Sequence, residues 1–365
     1  MKEMDVDRRV KLATRGAVEV VTIDELRKLF ETSSKVTGYI GYEPSGFFHI
    51  GWLIWAFKVK DLVEAGVKMT ILEATWHAWI NDKLGGIMEN IKNDALYVRH
   101  VLKAIGLDET KVNYVDAEEL VSDKDYWAYV LKIAKNSTLA RIRRALTIMG
   151  RKAEEAETDF SKLIYPLMQV ADIYYLDVDI ALGGTDQRKA HMLARDVAEK
   201  LNRKKVIAIH TPLLTGLQGV KRMDVTKVSE EEHAIEYKMS KSKPESVILV
   251  HDPPDDIRRK IRNAFCPPRQ IKYNPIMEIN KYLLFREEGF VLHIDRPSKY
   301  GGPIDVYSYD ELEKLYVEGK LHPLDLKNAT AEALIKLLEP IRRHFEENKE
   351  AKLLLEKLKS ITITR

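Results

Sequence analysis

Two segments far apart in the chain carry side chains suited to phosphate chemistry. The first, Glu43-Pro-Ser-Gly-Phe-Phe-His49-Ile-Gly-Trp52, reads as a strand-to-helix turn with Gly46, His49 and Gly51 at its corners. A helix N-terminus offers unpaired N–H groups and a positive dipole end to phosphate; an imidazole donates to phosphate oxygens, and glycine lets a flat base approach the backbone. Alone, such a segment is also an ordinary turn with a surface histidine. The second is Lys238-Met239-Ser240-Lys241-Ser242, followed by Lys243, which gathers ammonium groups and hydroxyls on a polar stretch. Clustered lysines also serve solubility alone. Yet when an α-phosphoryl group is attacked and pyrophosphate leaves, negative charge grows on bridging and terminal oxygens, and cations brought over it stabilise that state. The two segments are chemically complementary, so together they point to activation by a nucleoside triphosphate.

Between them lie Tyr165-Pro-Leu-Met-Gln169-Val-Ala-Asp172 and Gly183-Gly-Thr-Asp186-Gln187. On a helix, positions 165, 169 and 172 share one face. Leu163, Ile164, Leu167 and Met168 supply apolar packing for the other side. A polar face turned toward a pocket needs a polar ligand, because buried donors and acceptors need partners. The bland alternative is a helix showing its wet side to solvent.

These residues need elements to hold them. From residue 36, short β-branched runs alternate with longer amphipathic stretches, the pattern of a parallel sheet with crossover helices. Strands are expected at Val36 to Tyr42, Val67 to Ala74, Lys111 to Val115, Val178 to Leu182 and Val206 to His210. Helices are expected at Ile50 to Ala65, Met88 to Ile105, Tyr126 to Met149, Phe160 to Tyr175 and Asp186 to Leu201. The turn holding Gly46 and His49 then falls at the carboxyl edge of the sheet, where α/β folds bind ligands. Two consecutive helices without a strand between them, around 120–176, form a helical insertion. After residue 213 the pattern becomes polar and then helical, with Pro253-Pro254 opening a helix and Thr330 to Lys359 reading as a solvated helix or helical pair. Residues 1–213 are expected to form one α/β domain and 214–365 a mainly helical one.

Composition narrows the class. At 365 residues the chain exceeds the roughly 250 to 300 at which single cores stop growing, hence two folding units. No apolar run approaches the roughly 20 residues of a membrane span, and the charged start lacks a signal core, so a soluble cytoplasmic protein is expected. One cysteine, Cys266, excludes an internal disulfide or a multi-cysteine metal cage and reads as a small packed hydrophobe. Net charge is only +3 on 59 basic and 56 acidic residues, so any nucleic-acid footprint must be local. The 32% charged content suits a surface rich in ion pairs.

His49-Ile-Gly-Trp52, Lys238 to Ser242, the Tyr-x3-Gln-x2-Asp helix and the Gly-x-Asp-Gln turn together resemble the class I tyrosyl-tRNA synthetases of the archaeal and eukaryotic type, over most of the chain. The resemblance implies a Rossmann-type doubly wound parallel sheet with a helical insertion, and a C-terminal anticodon-binding domain. It implies that Tyr165, Gln169 and Gln187 meet the amino-acid end of tyrosine, that Tyr39 and Asp172 hold its phenol hydroxyl, and that Gly41 edges the pocket. It assigns Gly46, His49, Gly51, Asp186, Met239, Ser240, Lys241 and Ser242 to ATP, with His49, Lys238 and Lys241 catalytic. Arg144 and Arg188 would meet the tRNA acceptor end, and Tyr300, His322, Pro323 and Asp325 the anticodon. ATP with Mg2+ on its phosphates, tyrosine and tRNA are the implied ligands, no protein metal site is implied, and relatives work as homodimers. An aspartate facing the pocket would be left unpaired by phenylalanine, which fits a tyrosine pocket. Rejection of phenylalanine for want of a hydroxyl is already a standard illustration drawn from this same enzyme family, so it stands here as an implication of the resemblance.

The chain departs from the family at Trp52, where the usual first motif ends in histidine, so His49 and Gly51 carry that motif and Trp52 packs. It departs again at Thr75, where relatives commonly carry aspartate; His77 nearby reads as structural. Tryptophan activation, another adenylating nucleotidyltransferase of this fold, and a noncatalytic RNA-binding descendant are the rival readings.

Overall fold

The computed structural model describes residues 5–150, 159–219, 237–239 and 244–361; Ser240, Lys241, Ser242 and Lys243 lie outside these. By its internal contacts the chain forms two units, one of Met1–Gly46, Trp55–Pro212 and Leu353–Arg365, the other of Phe47–Ile54 and Leu213–Lys352.

The first unit is built on six strands: β1 (Glu19–Val21), β2 (Val36–Tyr42), β3 (Val67–Glu73), β4 (Asn113–Asp116), β5 (Ile180–Gly184) and β6 (Ile207–Thr211). Their order is β1-β6-β5-β2-β3-β4, with β1 antiparallel to β6 and every other pairing parallel. The doubly wound α/β sheet expected from the sequence is therefore present. Strand order reverses at β2, which lies between β3 and β5, and such switch points are where open α/β sheets take their ligands. Cα partners between β2 and β5 are confined to Gly38↔Ile180 and Tyr39↔Ala181, whereas β2 runs on to Tyr42 and β5 to Gly184. The ladder stops there, which opens the sheet at its carboxyl ends.

Among the differences from the sequence reading, two bear on the sheet and the helices that cover it. The short β1 is additional to the expected strands, because three residues carry too little periodicity to register. The helix expected over 126–149 is instead Lys124–Lys135, Leu139–Ala145 and a 3-10 turn, Leu146–Met149. Asn136 closes the first piece and the Thr138 hydroxyl caps the second by accepting from the Arg141 N–H, so Asn136-Ser137-Thr138 is a stop-and-start signal. These helices pack with Ser161–Tyr175 over the sheet, in a buried cluster including Tyr39, Leu72, Tyr126, Ile133, Ile142, Met168 and Ile173.

The second unit is mainly helical, with Pro254–Asn263, Pro275–Ile279, Tyr309–Val317 and Pro323–Glu347 as its α-helices, and one antiparallel hairpin, Leu292–Ile294 with Ile304–Val306. Pro254 and Pro323 stand in the first turn of their helices, where a missing N–H does no harm. Pro323–Glu347 buries Leu326, Leu334, Leu338, Ile341 and Phe345, so this stretch is core on one side and not only a solvated face. Cys266 is buried, its sulfur 3.2 Å from the Tyr316 hydroxyl. No helix among the described residues is long and apolar enough to cross a membrane.

Candidate active site

The first unit holds a polar cluster around the helix Ser161–Tyr175. Asp172 is only 1% exposed, and its two oxygens are held differently. Oδ1 accepts from the Tyr126 hydroxyl at 2.7 Å, and Oδ2 lies 3.0 Å from His77 Nε2. Neither nitrogen of His77 makes a well-aligned hydrogen bond to a described residue, so this contact gains its full strength as an ion pair when His77 is protonated. Burial opposes charging of His77, but the Asp172 carboxylate beside it, with Glu43 further off, carries its pKa above the ordinary histidine value. Burial, then the charge of Asp172, pushes the phenols of Tyr39 and Tyr126 well above theirs, so both keep their protons and remain donors. Gly41, exposed on β2, lies against the Tyr39 ring: a Cβ there would sit 3.5 Å from the hydroxyl, in ordinary van der Waals contact.

A second group lies along the same helix. The Tyr165 hydroxyl donates to Glu43 Oε1 at 2.5 Å, and Asn81 Nδ2 donates to both Glu43 oxygens at 3.0 and 3.1 Å. Gln187 Nε2 donates to the Ile148 carbonyl at 3.0 Å, and Gln169 Nε2 donates to Gln187 Oε1 at 3.0 Å. A backbone carbonyl only accepts, so the direction of this chain is fixed, and the Gln169 oxygen is left buried with no hydrogen-bond partner among the described residues. Gly183 makes the turn possible: a Cβ there would lie 2.9 Å from Gln187 Cβ and 3.0 Å from His191. Asp186 sits partly exposed on the same 3-10 turn, Thr185–Gln187. Gly46, with φ of +99°, donates its N–H to the buried Asp94 at 2.8 Å, a conformation that favours glycine.

His49 to Trp52 and the described residues of the second motif, Lys238 and Met239, lie in the second unit. His49 bridges antiparallel to Leu249, flanked by Ile50 N–H to the Ile248 carbonyl and Val250 N–H to the Phe48 carbonyl, both at 3.0 Å. Gly51 leaves room for the His49 ring, since a Cβ would stand 3.0 Å from it and 3.5 Å from Leu214 Cβ. Leu214 in turn accepts from the Met239 N–H at 2.7 Å, and Thr215 bridges antiparallel to Lys238. Leu214 thus lies beside Gly51 of the first motif and is bonded to Met239 of the second. Trp52 packs its ring edge-on to Phe48 at 5.3 Å and 5.7 Å from that of His49.

The sequence matches the family model of the class I tRNA synthetases (W and Y), over residues 31–237 and 232–339. It is 60% identical over 361 residues, 98% of this chain and all of the relative, to a tyrosine–tRNA ligase of Saccharolobus islandicus. The chain belongs to the tyrosine–tRNA ligases of class I. The fold agrees with two crystal structures of this synthetase. That of Aeropyrum pernix has a TM-score of 0.87 at 54% identity, covering 98% of this chain and 99% of the other. That of Pyrococcus horikoshii, solved with L-tyrosine, has a TM-score of 0.89 at 45% identity, covering 97% and 100%.

The remaining positions assigned from the sequence to this synthetase's ligands fall on several elements. Arg144 is exposed in the last turn of Leu139–Ala145. Arg188 is exposed but forked onto Glu19 at 2.9 to 3.1 Å; Glu19 also meets His210 Nδ1 at 2.7 Å, and His210 Nε2 meets the buried His191 at 3.0 Å. His322, Pro323 and Asp325 come together at the start of Pro323–Glu347, where His322 Nδ1 caps the helix by accepting from the Leu324 N–H. Tyr300, 62% exposed, stands on the turn Ser298–Tyr300; Arg296 joins that segment to the neighbourhood of His322 by donating to the carbonyls of Gly302 and Lys320. Thr75 is buried and donates to Asp116 at 2.5 Å. Sequence reasoning passes over Tyr126, Glu43 and Asn81 and treats His77 as structural. A tyrosine on an amphipathic helix looks like core, and Tyr126 is core except for its hydroxyl.

Proposed function

We propose that the chain activates L-tyrosine with ATP and transfers it to tRNA through the residues described above. The observation that carries this reading is Asp172, a buried carboxylate on the pocket helix facing the neutral phenol of Tyr39. A tyrosine hydroxyl donates to the one and accepts from the other. Phenylalanine does neither, and the single N–H of an indole leaves the Tyr39 donor without use. At the other end of the substrate, the orphan oxygen of Gln169 accepts from the ammonium group.

In the first step a carboxylate oxygen of tyrosine attacks the α-phosphorus of ATP, and the bond to the bridging oxygen breaks, releasing pyrophosphate and leaving tyrosyl-adenylate. In the second, a terminal ribose hydroxyl of tRNA attacks the carbonyl carbon; its proton goes to solvent and AMP leaves. No side chain serves as nucleophile. His49, Gly51, Lys238 and Met239 lie around Leu214 where they support a role in holding ATP, and Lys241, Ser240 and Ser242 are assigned by the same motif. The protein's share is positioning and charge stabilisation. Magnesium arrives on the phosphates of ATP; among the described residues no cluster of three or more His, Cys, Asp or Glu side chains is placed to hold an ion. Arg144, Arg188, Tyr300, His322, Pro323 and Asp325 serve tRNA, and the working form is a cytoplasmic homodimer, a state that sedimentation tests directly.

Exchange of labelled pyrophosphate into ATP, dependent on added tyrosine, tests the first step with purified protein. Exchange driven by tyrosine and not by tryptophan or phenylalanine supports the reading. Exchange with tryptophan alone, or none with tyrosine, overturns it.

A further inference from the structure

Glu278 lies outside every motif discussed so far. It occupies the short helix Pro275–Ile279, which the Asn274 side chain caps by accepting from the N–H groups of Ile276 and Met277. Its carboxylate brackets one residue: Oε2 accepts from the Thr215 N–H at 2.8 Å and Oε1 from the Thr215 hydroxyl at 2.9 Å. Thr215 is the residue bridged to Lys238, and its neighbours complete the clasp, Leu214 accepting from Met239 N–H at 2.7 Å and Gly216 N–H donating to the Tyr237 carbonyl at 2.9 Å. Residues 214–216 therefore hold 237–239, and Glu278 holds 215.

We propose that Glu278 is a positioning residue for tyrosine activation, fixing through Thr215 the place of Lys238. The inference rests on the reading of Lys238 as a group that acts on the phosphates of ATP. Its physical basis is the acceptor count. An ionised carboxylate takes both the N–H and the O–H of Thr215; an amide has one oxygen, so the second bond is lost or must be remade with the hydroxyl turned round. The same holds for a protonated carboxyl. Burial pushes the Glu278 carboxyl up to about 7, with the two bonds from Thr215 and the nearby Lys281 pulling the other way. The other groups facing it are the phenols of Tyr282 and Tyr309, which keep their protons, burial being the main cause and the Glu278 charge contributing. Lys281 Nζ lies over both rings, 5.7 and 5.2 Å from their centroids. Such a carboxylate is poorly placed for stability and well placed for geometry.

The test is steady-state pyrophosphate exchange by the full chain carrying Glu278→Gln, Thr215→Val, Thr215→Ser or Lys238→Ala. Losing one bond to an ionised acceptor corresponds to about tenfold or more. Glu278→Gln should lower kcat by about that factor at pH 8 with KM for tyrosine within about twofold, and should flatten the acid limb expected of the wild type near pH 7. Thr215→Val should share the loss in kcat, and Thr215→Ser, which keeps both donors, should recover it. If Glu278→Gln does not fold, the Val and Ser pair decides by the same criterion. Unchanged kcat and an unchanged pH profile in Glu278→Gln, with Lys238→Ala impaired, overturn the inference and leave the role of Lys238 standing. Wild-type kcat in Lys238→Ala overturns both.

Discussion

The buried oxygen of Gln169 makes a prediction that separates binding from folding. The orientation of the amide chain from Ile148 through Gln187 leaves that oxygen without a partner among the described residues. An unpaired buried acceptor costs about 1–3 kcal/mol, and a hydrogen bond to a charged donor contributes about 1.5–3 kcal/mol. Gln169→Met keeps the length of the side chain and removes both polar ends. In the unliganded protein it relieves the orphan acceptor but strips Gln187 of its donor, two changes of similar size and opposite sign, so stability should move by no more than about 1 kcal/mol. For tyrosine the acceptor of the ammonium is gone, and affinity should fall by about 1.5–3 kcal/mol, roughly 10- to 150-fold. Calorimetric titration with tyrosine and with its desamino analogue, beside thermal unfolding, reads all three quantities. The analogue lacks the ammonium, so its affinity should hardly differ between wild type and variant. An equal loss for tyrosine and the analogue would refute the reasoning, because Gln169 would then act through the shape of the pocket.

Other outcomes follow from the groups around it. Tyr126→Phe removes the 2.7 Å bond to Asp172 and should lower unfolding free energy by roughly 1.5–3 kcal/mol in urea titrations, while narrowing the preference for tyrosine over phenylalanine in exchange assays. The pKa of His77 is raised in the folded state, so its contribution is fully present below the unfolded value near 6.5 and is lost as pH rises through the folded value; His77→Phe should remove that alkaline decline from the stability–pH curve. For His191 the sign is opposite. Burial, with His210 beside it, lowers its pKa to about 3, so its contribution is present above pH 6.5 and is lost as pH falls toward 3, roughly 3–5 kcal/mol in all; His191→Phe should acid-unfold over a shallower pH range than wild type.

The inner strands of the sheet can be read from the sequence because they are largely buried and bounded by turn residues. Val36–Tyr42 is legible to the residue, since β-branched and aromatic runs ending at Glu43-Pro44 leave little choice. The face shared by Tyr165, Gln169 and Asp172 is equally legible, being fixed by helical periodicity. What surrounds that face is not. His77 and Tyr126 lie 95 and 46 residues before Asp172 in sequence, and nothing local marks either as its partner. Periodicity names the face of an element but says nothing of which distant element meets it. The break at Asn136-Ser137-Thr138 escapes a sequence reading for another reason: polar residues within an amphipathic pattern look like its solvent side until the Thr138 cap is seen. The pattern places the first phosphate motif on the sheet edge, yet residues 48–50 are stitched by their backbone to 248–250, a long-range pairing that no short window contains.

Glu278 shows what such pairings mean for stability. A carboxyl raised from 4.5 to about 7 keeps in the folded state a proton that the unfolded chain has shed between those values. Stability therefore falls as pH rises across that window and stays lower above it, by roughly 3 kcal/mol at about 1.4 kcal/mol per pKa unit. Glu278→Gln removes the charge and with it this penalty. It also loses one bond from Thr215 to an ionised acceptor, worth about 1.5–3 kcal/mol, so the net gain at pH 8 should be at most roughly 1.5 kcal/mol and should vanish below pH 4.5. Urea unfolding at both pH values measures it. A variant that is more stable at pH 8 and slower in activation places the residue in the chemistry; one equally destabilised at both values would make Glu278 an ordinary structural bond. The same tension holds at Gln169 and Asp172. Groups that fold poorly by themselves are retained where a ligand, or a loop that serves the ligand, completes them.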